Sequence, residues 1–392
     1  MPHQRIRHSI SLLKKYASFS PSVGVVGLRQ VGKTTLLTKQ LGITNTYSLD
    51  ELALRTEANR SPTTFLAKLD LPCVIDEIQK APNIFDAIKL RIDKNRIPGQ
   101  YFATGSTAFS SKAGIRESLT GRMAVMQLFP FTLAEAHQLP FDEKRIQKPL
   151  HTNPPRVRIE SATEMLTKGG LPVAMFMRDA DTRRMYFEQY LDASILRDLP
   201  KLFGRNYDPD TTRNILTTIG KILAEGETPT YRHFQLETRV LKRYLEALES
   251  IFILRRIPCH NLGSGLDHWI VGDTGLVTNL MGTTLGEGAT LSLARHLVFN
   301  EIQAGLQYSG KSIYLNYYKS SQAKENIDFI IDGIPAKIIH SPPASLPIGW
   351  YEKPLLGAMK KLQSKVGLLV APVDHVDIPK TGIGIVPWTH WS

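Results

Sequence analysis

Residues 27–34 carry the pattern most able to do chemistry: they read Gly-Leu-Arg-Gln-Val-Gly-Lys-Thr and follow a short apolar run at 23–26. A G-x-x-x-x-G-K-[ST] loop between a strand and a helix is typical of phosphate binding by backbone N–H groups. Lys33 is expected to reach the β- and γ-phosphates of a nucleotide, and Thr34 to bind Mg²⁺. The alternative is a glycine-rich turn that fits the pattern by chance. The expected nucleotide-binding residues are Gly27, Leu28, Arg29, Gln30, Val31, Gly32, Lys33, Thr34 and Thr35.

Two carboxylates end the next apolar segment, residues 71–77. In a parallel sheet the carboxyl ends of the strands face the nucleotide. We therefore expect Asp76 to hold Mg²⁺, directly or through water, and Glu77 to orient and deprotonate the attacking water. Two acids at a strand end can also be solvated surface. With a P-loop upstream, hydrolysis is the better interpretation.

Polar groups after a third segment, 100–104, extend the expected site. Thr104 and Ser106 can donate a hydrogen bond to the γ-phosphate or the lytic water, or can form an ordinary Thr-Gly-Ser turn. Arg116 and Arg122 follow, and either could be an arginine finger for its own or a neighbouring subunit. A surface position is the alternative for both, and the functional interpretation favours Arg122.

Bulk composition limits the class of protein. With 392 residues the chain can form two or three domains, and its formal charge of +12 is compatible with a nucleic-acid partner. Cys73 and Cys259 lack the spacing of a disulfide framework or a zinc site, so a reducing compartment is expected. No apolar run approaches the ~20 residues that cross a bilayer, which predicts a cytoplasmic protein with no membrane partner.

The spacing of apolar residues predicts the elements that position these groups. Alternating strands and helices over 22–131, with strands at 46–49 and 124–128, predict a three-layer parallel α/β domain. Ile6, Ile10, Leu13 and Tyr16 predict a basic amphipathic helix that packs on this domain or lies on a membrane. Asn83 can cap the helix that carries Ile84, Ile88 and Ile92.

Downstream, charge and proline between 140 and 158 indicate a linker, and helical spacing follows from 160 to 225. Residues 230–248 suggest a helix, a turn and a second helix, with strands at 251–257 and 268–271 as a wing. Arg239, Lys242 and Arg243 on the second helix would contact DNA; a solvated or protein-contacting basic face is the alternative. The last ~100 residues return to an α/β pattern, with a helix containing Glu301, strands at 313–318, 327–331, 336–339 and 366–370, and a helix at 355–362.

Several motifs in the same order resemble prokaryotic AAA-type ATPases that carry a C-terminal domain of unknown function. They are the P-loop, residues 75–82, 104–106, 118–122, 169–172, 190–191 with 197–198, 242–245 and 273–276. The resemblance implies an AAA-like P-loop core (1–139), a linker and helical lid (140–225), a winged helix (226–285) and a restriction-endonuclease-like α/β domain (286–392). It also implies ATP rather than GTP as the nucleotide.

The terminal domain departs from that family. Members resembling metal-dependent nucleases place an Asp on one strand and a Glu-x-Lys triplet on the next, and Asp328 fits the first position. Lys337 stands where the Glu should be, and Ile339 where the Lys should be. Since a divalent cation needs oxygen ligands and an ammonium repels it, nuclease activity is not expected. Glu301 and Asp328 could then be simple structural residues.

These observations predict an Mg²⁺-dependent ATPase that acts as a conformational switch or remodeller on a protein or nucleic-acid partner. The alternative is a DNA-binding regulator in which ATP sets the conformation of the winged helix. An ATP-coupled nuclease and a pseudo-ATPase fit less well, because the triplet is degenerate and Lys33, Asp76 and Glu77 are intact. Monomeric and oligomeric states both remain open.

Overall fold

The computed structural model describes residues 5–109, 120–147, 157–203, 207–282, 286–311, 315–322, 325–378 and 381–392. The chain forms two compact units. The first unit comprises His3–Phe129 with Ser250–Phe252, and the second comprises Pro130–Glu249 and Ile253–Ser392. Over the described ranges, no helix is both long and apolar enough to cross a membrane.

A parallel sheet of five strands, counted over the described residues, forms the centre of the first unit. Its strands are β1 (Ser22–Val26), β2 (Asn45–Ser48), β3 (Cys73–Asp76), β4 (Tyr101–Gly105) and β5 (Met123–Gln127), in the order β2-β3-β4-β1-β5. Strands β1 and β4 are buried along their whole length, as central parallel strands require. The α/β P-loop architecture predicted from the alternating pattern is therefore confirmed.

The helices of the first unit are Ile10–Phe19, Lys33–Thr35, Leu52–Arg60, Pro62–Ala67 and Ile84–Lys94. A π-helical turn, Leu36–Gln40, continues the P-loop helix. Two local predictions were wrong. The first helix starts only at Ile10, and Ile6 before it is 71% exposed. Asn83 precedes its helix with φ −64° and ψ −14°, and its side chain makes no capping bond, because such a cap needs an extended backbone.

The second unit begins with a helical region that confirms the helical spacing predicted from 160 to 225. Its main helices are Ile159–Lys168, Ala180–Ala193 and Pro209–Ala224. Shorter helices lie at Leu133–Ala136, Glu143–Gln147, Pro172–Met175 and Leu199–Phe203. A π-helical turn, Ser194–Asp198, joins Ala180–Ala193 to Leu199–Phe203. Part of the predicted linker, 148–156, lies outside the described residues.

The predicted pair of helices within 230–248 is only half correct. Its first member is a single 3₁₀ turn, Tyr231–His233. The Thr230 N–H donates a hydrogen bond to His233 Nδ1 at 3.0 Å and closes this turn. The second is a full helix, Thr238–Ser250. Strands β6 (Leu254–Ile257) and β7 (His268–Val271) pair antiparallel, near the predicted positions, and their assignment as a wing stays a prediction.

A mixed sheet ends the second unit, in the order β12-β11-β10-β9-β8. Its strands are β8 (Asn316–Lys319), β9 (Asn326–Ile331), β10 (Ile334–Ile338), β11 (Gly367–Ala371) and β12 (Ile383–Pro387). The helix Ile348–Leu362 packs on it around a core that includes Leu355, Ala358 and Leu369, while Glu287–Tyr308 and Thr274–Met281 complete the helices. The sequence pattern predicted the first four strands and missed β12.

Candidate active site

The P-loop leaves the carboxyl end of β1 and requires two glycines. Gly27 has a φ of +150°, and a Cβ there would lie 2.3 Å from the Leu128 carbonyl oxygen. Gly32 has a φ of +98° directly before the helix that Lys33 opens. Any side chain would therefore clash at the first position and strain the backbone at the second. The loop conformation follows from the spacing of these glycines.

Lys33 is held inside this loop. Its ammonium group donates to the carbonyl oxygens of Gly27 at 3.0 Å and Leu28 at 2.8 Å, and the residue is 5% exposed. These contacts keep the cation beside the N–H groups of the loop. A phosphate bound by the loop would therefore lie within reach of the Lys33 side chain.

Asp76, at the end of β3, receives two hydroxyl groups from neighbouring elements. Thr34 Oγ1 and Thr104 Oγ1 each donate to Asp76 Oδ1 at 2.6 Å. This arrangement follows from the strand order, since β4 lies between β1 and β3 and brings Thr104 beside both. The oxygen-rich pair of Thr34 and Asp76 has the donor chemistry that Mg²⁺ prefers.

Glu77 adopts a left-handed backbone conformation, with a φ of +56°. Its N–H donates to Thr104 Oγ1 at 3.1 Å, and its Oε2 accepts from Ser106 Oγ at 2.9 Å and Gln79 Nε2 at 2.5 Å. The carboxylate is thus fixed by Ser106, directly after β4, and by Gln79 of the 3₁₀ turn Ile78–Lys80. Thr104 and Ser106 lie beside Asp76 and Glu77, and their predicted role toward the γ-phosphate or the lytic water stays a prediction. The sequence pattern did not single out Gln79 as a functional residue.

Arg7 supports the loop from the N-terminal segment and was also missed. Its Nη1 donates to the Val31 carbonyl oxygen at 2.9 Å and its Nη2 to that of Phe129 at 2.5 Å, with only 3% of the residue exposed. The Arg7 N–H donates to Gln40 Oε1 at 2.9 Å. These bonds span 24 and 122 residues of sequence, so no local motif could have indicated them.

The predicted arginine finger lies far from this cluster. Arg122 directly precedes β5, and its carbonyl oxygen accepts from the Ser22 N–H at the amino end of β1. The P-loop follows the opposite end of β1, five residues or about 15 Å away. Arg122 forms a two-pronged ion pair with Asp93, at 2.7 and 2.9 Å. The expectation of a finger for its own nucleotide was therefore wrong, a role toward a neighbouring subunit stays a prediction, and Arg116 lies outside the described residues.

Comparison with known proteins agrees with this geometry. Residues 20–137 match the model of an AAA domain. These residues therefore form a P-loop domain that is similar to AAA domains. Residues 159–285 match a domain of unknown function (DUF8612), and the winged helix that the resemblance implied within this range stays a prediction.

The curated relatives that this chain matches are distant. Uncharacterized proteins of Mycobacterium bovis and Mycobacterium tuberculosis are each 24% identical over 287 residues, which is 70% of this chain. The chain spans 59% of the length of these relatives. A Walker-type ATPase of Pyrococcus abyssi matches 69% of this chain and 94% of its own, with 14% identity and a TM-score of 0.41. The Orc1 protein of Aeropyrum pernix in complex with DNA matches 72% and 93%, with 11% identity and a TM-score of 0.29.

Outside the AAA domain, the three residues predicted to contact DNA differ in the contacts that they make within the protein. Arg239 and Lys242 are exposed on the helix Thr238–Ser250, and Lys242 pairs with Glu246 at 3.8 Å. Arg243 instead stacks on the Phe203 ring, 4.6 Å from its centroid, and donates to the Phe203 carbonyl oxygen at 3.0 Å. Its guanidinium is engaged within the protein, and contact with DNA through Arg239 and Lys242 stays a prediction.

The carboxylate at the position that matches a nuclease site lies beside cationic side chains rather than beside further oxygen ligands for a metal. Asp328 Oδ1 accepts from Arg295 Nε at 2.6 Å and Oδ2 from the Ile338 N–H at 2.8 Å. Burial raises the pKa of Asp328, but Arg295 and Lys337 outweigh it and hold this pKa below its usual value. Glu301 is not part of this cluster, since its Oε1 accepts from the Leu133 N–H at 2.8 Å. The residues present do not fit a divalent metal.

Proposed function

We propose that this protein hydrolyses ATP at the AAA domain. The observation that carries the proposal is the convergence of Thr34 and Thr104 on Asp76 beside a Glu77 carboxylate that Ser106 and Gln79 orient. A chain that only bound nucleotide would need the loop and Lys33, but not an oriented carboxylate next to them. The arrangement therefore supports turnover as well as binding.

Each side chain has a defined part in this proposal. The loop N–H groups and Lys33 bind the β- and γ-phosphates, and Thr34 and Asp76 hold Mg²⁺. When bound, that ion supplies positive charge that offsets the charge developing on the phosphate oxygens. Glu77 accepts a proton from the attacking water, while Thr104 and Ser106 keep the carboxylates in place by hydrogen bonding.

The proposed cellular role is that of a conformational switch or remodeller acting on a protein or nucleic-acid partner. The formal charge of +12 and the exposed Arg239 and Lys242 are compatible with a polyanionic partner. The degenerate site around Asp328 favours binding over cleavage of such a partner.

Steady-state ATP hydrolysis with and without Mg²⁺ tests the proposal. The purified wild type should turn over ATP, Lys33→Ala should lose both binding and turnover, and Glu77→Gln should bind ATP with turnover reduced about 100-fold or more. Lys39→Ala, an exposed lysine in the turn after the P-loop, is the matched control and should keep full activity. Equal turnover by wild type and Glu77→Gln would refute the role of Glu77, and adding double-stranded DNA measures whether nucleic acid stimulates the enzyme.

A further inference from the structure

A large polar cavity lies wholly within the second unit. Its volume is about 890 Å³, which falls in the range of ligand sites. Its walls come from the segment 226–233, the segment 264–268, the helix Glu287–Tyr308, strand β8 and the turn after β8. None of these residues belongs to the AAA domain.

One cation of the cavity wall is rigidly held. Arg295 Nε donates to Asp328 Oδ1 at 2.6 Å, and Arg295 Nη1 donates to the Gly226 carbonyl oxygen at 2.5 Å. The Arg295 side chain is 13% exposed. Within the ranges that the structure describes, its third nitrogen, Nη2, has no hydrogen-bond partner. A guanidinium fixed in this way loses little entropy when it binds an anion.

Two further cations line the same cavity, Lys319 at the end of β8 and Arg232 in the 3₁₀ turn. Neither has a carboxylate at ion-pair distance among the described residues. The lining holds one carboxylate, Glu227, which is 62% exposed and lies 3.4 Å from His233 Nε2. Asp328 offsets the charge of Arg295, whereas Arg232 and Lys319 have no ion-pair partner in the described ranges, so the wall carries more positive than negative charge.

Neutral hydrogen-bonding groups surround these cations. Burial lowers the pKa of His268 to about 3, so this ring is uncharged near neutral pH, and it stacks on Tyr317 with centroids 3.5 Å apart. Hydroxyl groups complete the lining, on Thr228, Thr230, Ser264, Ser320 and Ser321. Fixed guanidinium, ammonium and hydroxyl donors together match the acceptor oxygens of a phosphate monoester.

We propose that this cavity binds a phosphate monoester, supplied either by a free nucleotide or by the phosphorylated end of a nucleic-acid strand. The site is separate from the P-loop and does not depend on ATP hydrolysis. Arg295 of its wall pairs with Asp328, the residue that fits the first nuclease position of the resemblance.

Calorimetric titration of the full chain carrying Lys33→Ala, which silences the P-loop, tests this proposal. The probes are adenosine 5′-monophosphate against adenosine, and a single DNA strand of about ten nucleotides with a 5′-phosphate against the same strand with a 5′-hydroxyl. At least one phosphorylated probe should bind at least about tenfold more tightly than its unphosphorylated counterpart. Binding of the mononucleotide identifies a free nucleotide as the source, and selective binding of the phosphorylated strand identifies a strand end.

Added to that background, Lys319→Gln and Arg232→Gln should each weaken the Kd about tenfold or more, because each removes a charged donor. Arg232 is exposed on a turn, so its variant stays folded even if Lys319→Gln does not. Lys201→Gln, an exposed lysine of the same unit outside the cavity, should bind like the parent. No binding by either phosphorylated probe, no preference for the phosphate, or equal losses in Lys201→Gln and Arg232→Gln would overturn the proposal.

Discussion

At the scale of single residues, the backbone of Glu77 is a constrained part of the candidate site. A glutamate with a φ of +56° is in a sparsely populated conformation, which costs about 1–3 kcal/mol and persists only where the surroundings enforce it. Here Thr104 accepts from the Glu77 N–H, while Ser106 and Gln79 bind the carboxylate. The strain directs the carboxylate toward these partners rather than along β3.

Gln79→Leu should reveal this orientation in the kinetics. Without the Gln79 N–H donor, the Glu77 carboxylate keeps one of its two side-chain donors, and kcat should fall about tenfold while the KM for ATP changes little. Gln100→Leu, which precedes the amino end of β4, is the control and should leave both constants unchanged. A rise in KM of similar size to the fall in kcat would show that Gln79 supports nucleotide binding rather than the orientation of Glu77.

Arg7→Gln should weaken the P-loop itself. The shorter, uncharged side chain leaves the carbonyl oxygens of Val31 and Phe129 without their donor in a buried position, at a cost of about 2–3 kcal/mol in unfolding free energy. ATP affinity should fall together with Tm. Lys14→Gln, an exposed cation of the first helix, should alter neither quantity. Unchanged ATP affinity in Arg7→Gln would mean that the loop keeps its conformation without this contact.

At the scale of elements, local patterns predicted much of the fold and long-range contacts decided the rest. Strands β1, β3 and β4 and the P-loop follow from apolar runs and glycine spacing, which act between neighbours in sequence. Arg122 directly precedes β5, so residue order itself places it at the amino end of the parallel sheet, away from the P-loop. Arg7 was missed because its partners come from other elements, whereas Gln79 contacts Glu77, two residues before it, through a left-handed backbone that the residue pattern did not indicate. The 3₁₀ turn Tyr231–His233 replaced a predicted helix, since a hydrogen bond within the turn closes it after three residues.

Two motifs of the resemblance, 169–172 and 273–276, meet in the second unit. Asp273 Oδ2 accepts from the N–H groups of Gly170 at 2.8 Å and Leu171 at 3.1 Å, while Oδ1 accepts from Gly275 and Leu276 and caps the helix Thr274–Met281. One buried carboxylate therefore joins two segments that lie about 100 residues apart. The residue types of both motifs have a structural explanation.

Gly169→Ala should destabilise this junction. Gly169 has a φ of +73°, and an added Cβ would lie 2.2 Å from Asp273 Oδ1. Gly333→Ala is the matched control, since Gly333 has a φ of +79° and open space around it among the described residues. The control should lose about 1 kcal/mol for the backbone alone, and Gly169→Ala at least about 2 kcal/mol more, measured by urea unfolding. Equal losses would mean that Asp273 moves away at no cost.

At the scale of the whole molecule, buried ionisable groups make the stability of the second unit depend on pH. The buried carboxyl groups destabilise the fold as pH rises, and the buried histidines destabilise it as pH falls. Burial raises the pKa of Glu301 to about 8 and that of Asp273 to about 6. Burial lowers the pKa of His268 to about 3 and that of His296 to about 4. The folded state therefore keeps its carboxyl protons and excludes histidine protons more strongly than the unfolded chain.

The direction of each effect follows from proton linkage. Below about pH 6.5 the unfolded histidines bind protons that the folded ones do not, so stability is lost as pH falls. Above about pH 4.3 the unfolded Glu301 releases a proton that the folded one keeps, so stability is lost as pH rises toward 8. The two histidines and two carboxyl groups largely offset one another between about pH 4.5 and 6. An unfolded histidine is still half protonated at about pH 6.5, so the histidine contribution fades only toward about pH 7.5, and Glu301 is the main contributor of these four from about pH 7 to 8.

Glu301→Gln should therefore remove the alkaline loss of stability. In the wild type, the unfolding free energy of the second unit should fall between about pH 7 and 8, with a slope of roughly 0.5–1 kcal/mol per pH unit. Glutamine keeps an acceptor for the Leu133 N–H and has no proton to lose, so the variant's curve should be flat there. All four tryptophans, at 269, 350, 388 and 391, belong to the second unit, so their fluorescence during urea unfolding reports on this unit. Glu287→Gln is the control, because Glu287 lies on the same helix with a side chain that is 88% exposed, and it should keep the wild-type slope. A slope that persists in Glu301→Gln would show that another group carries the proton.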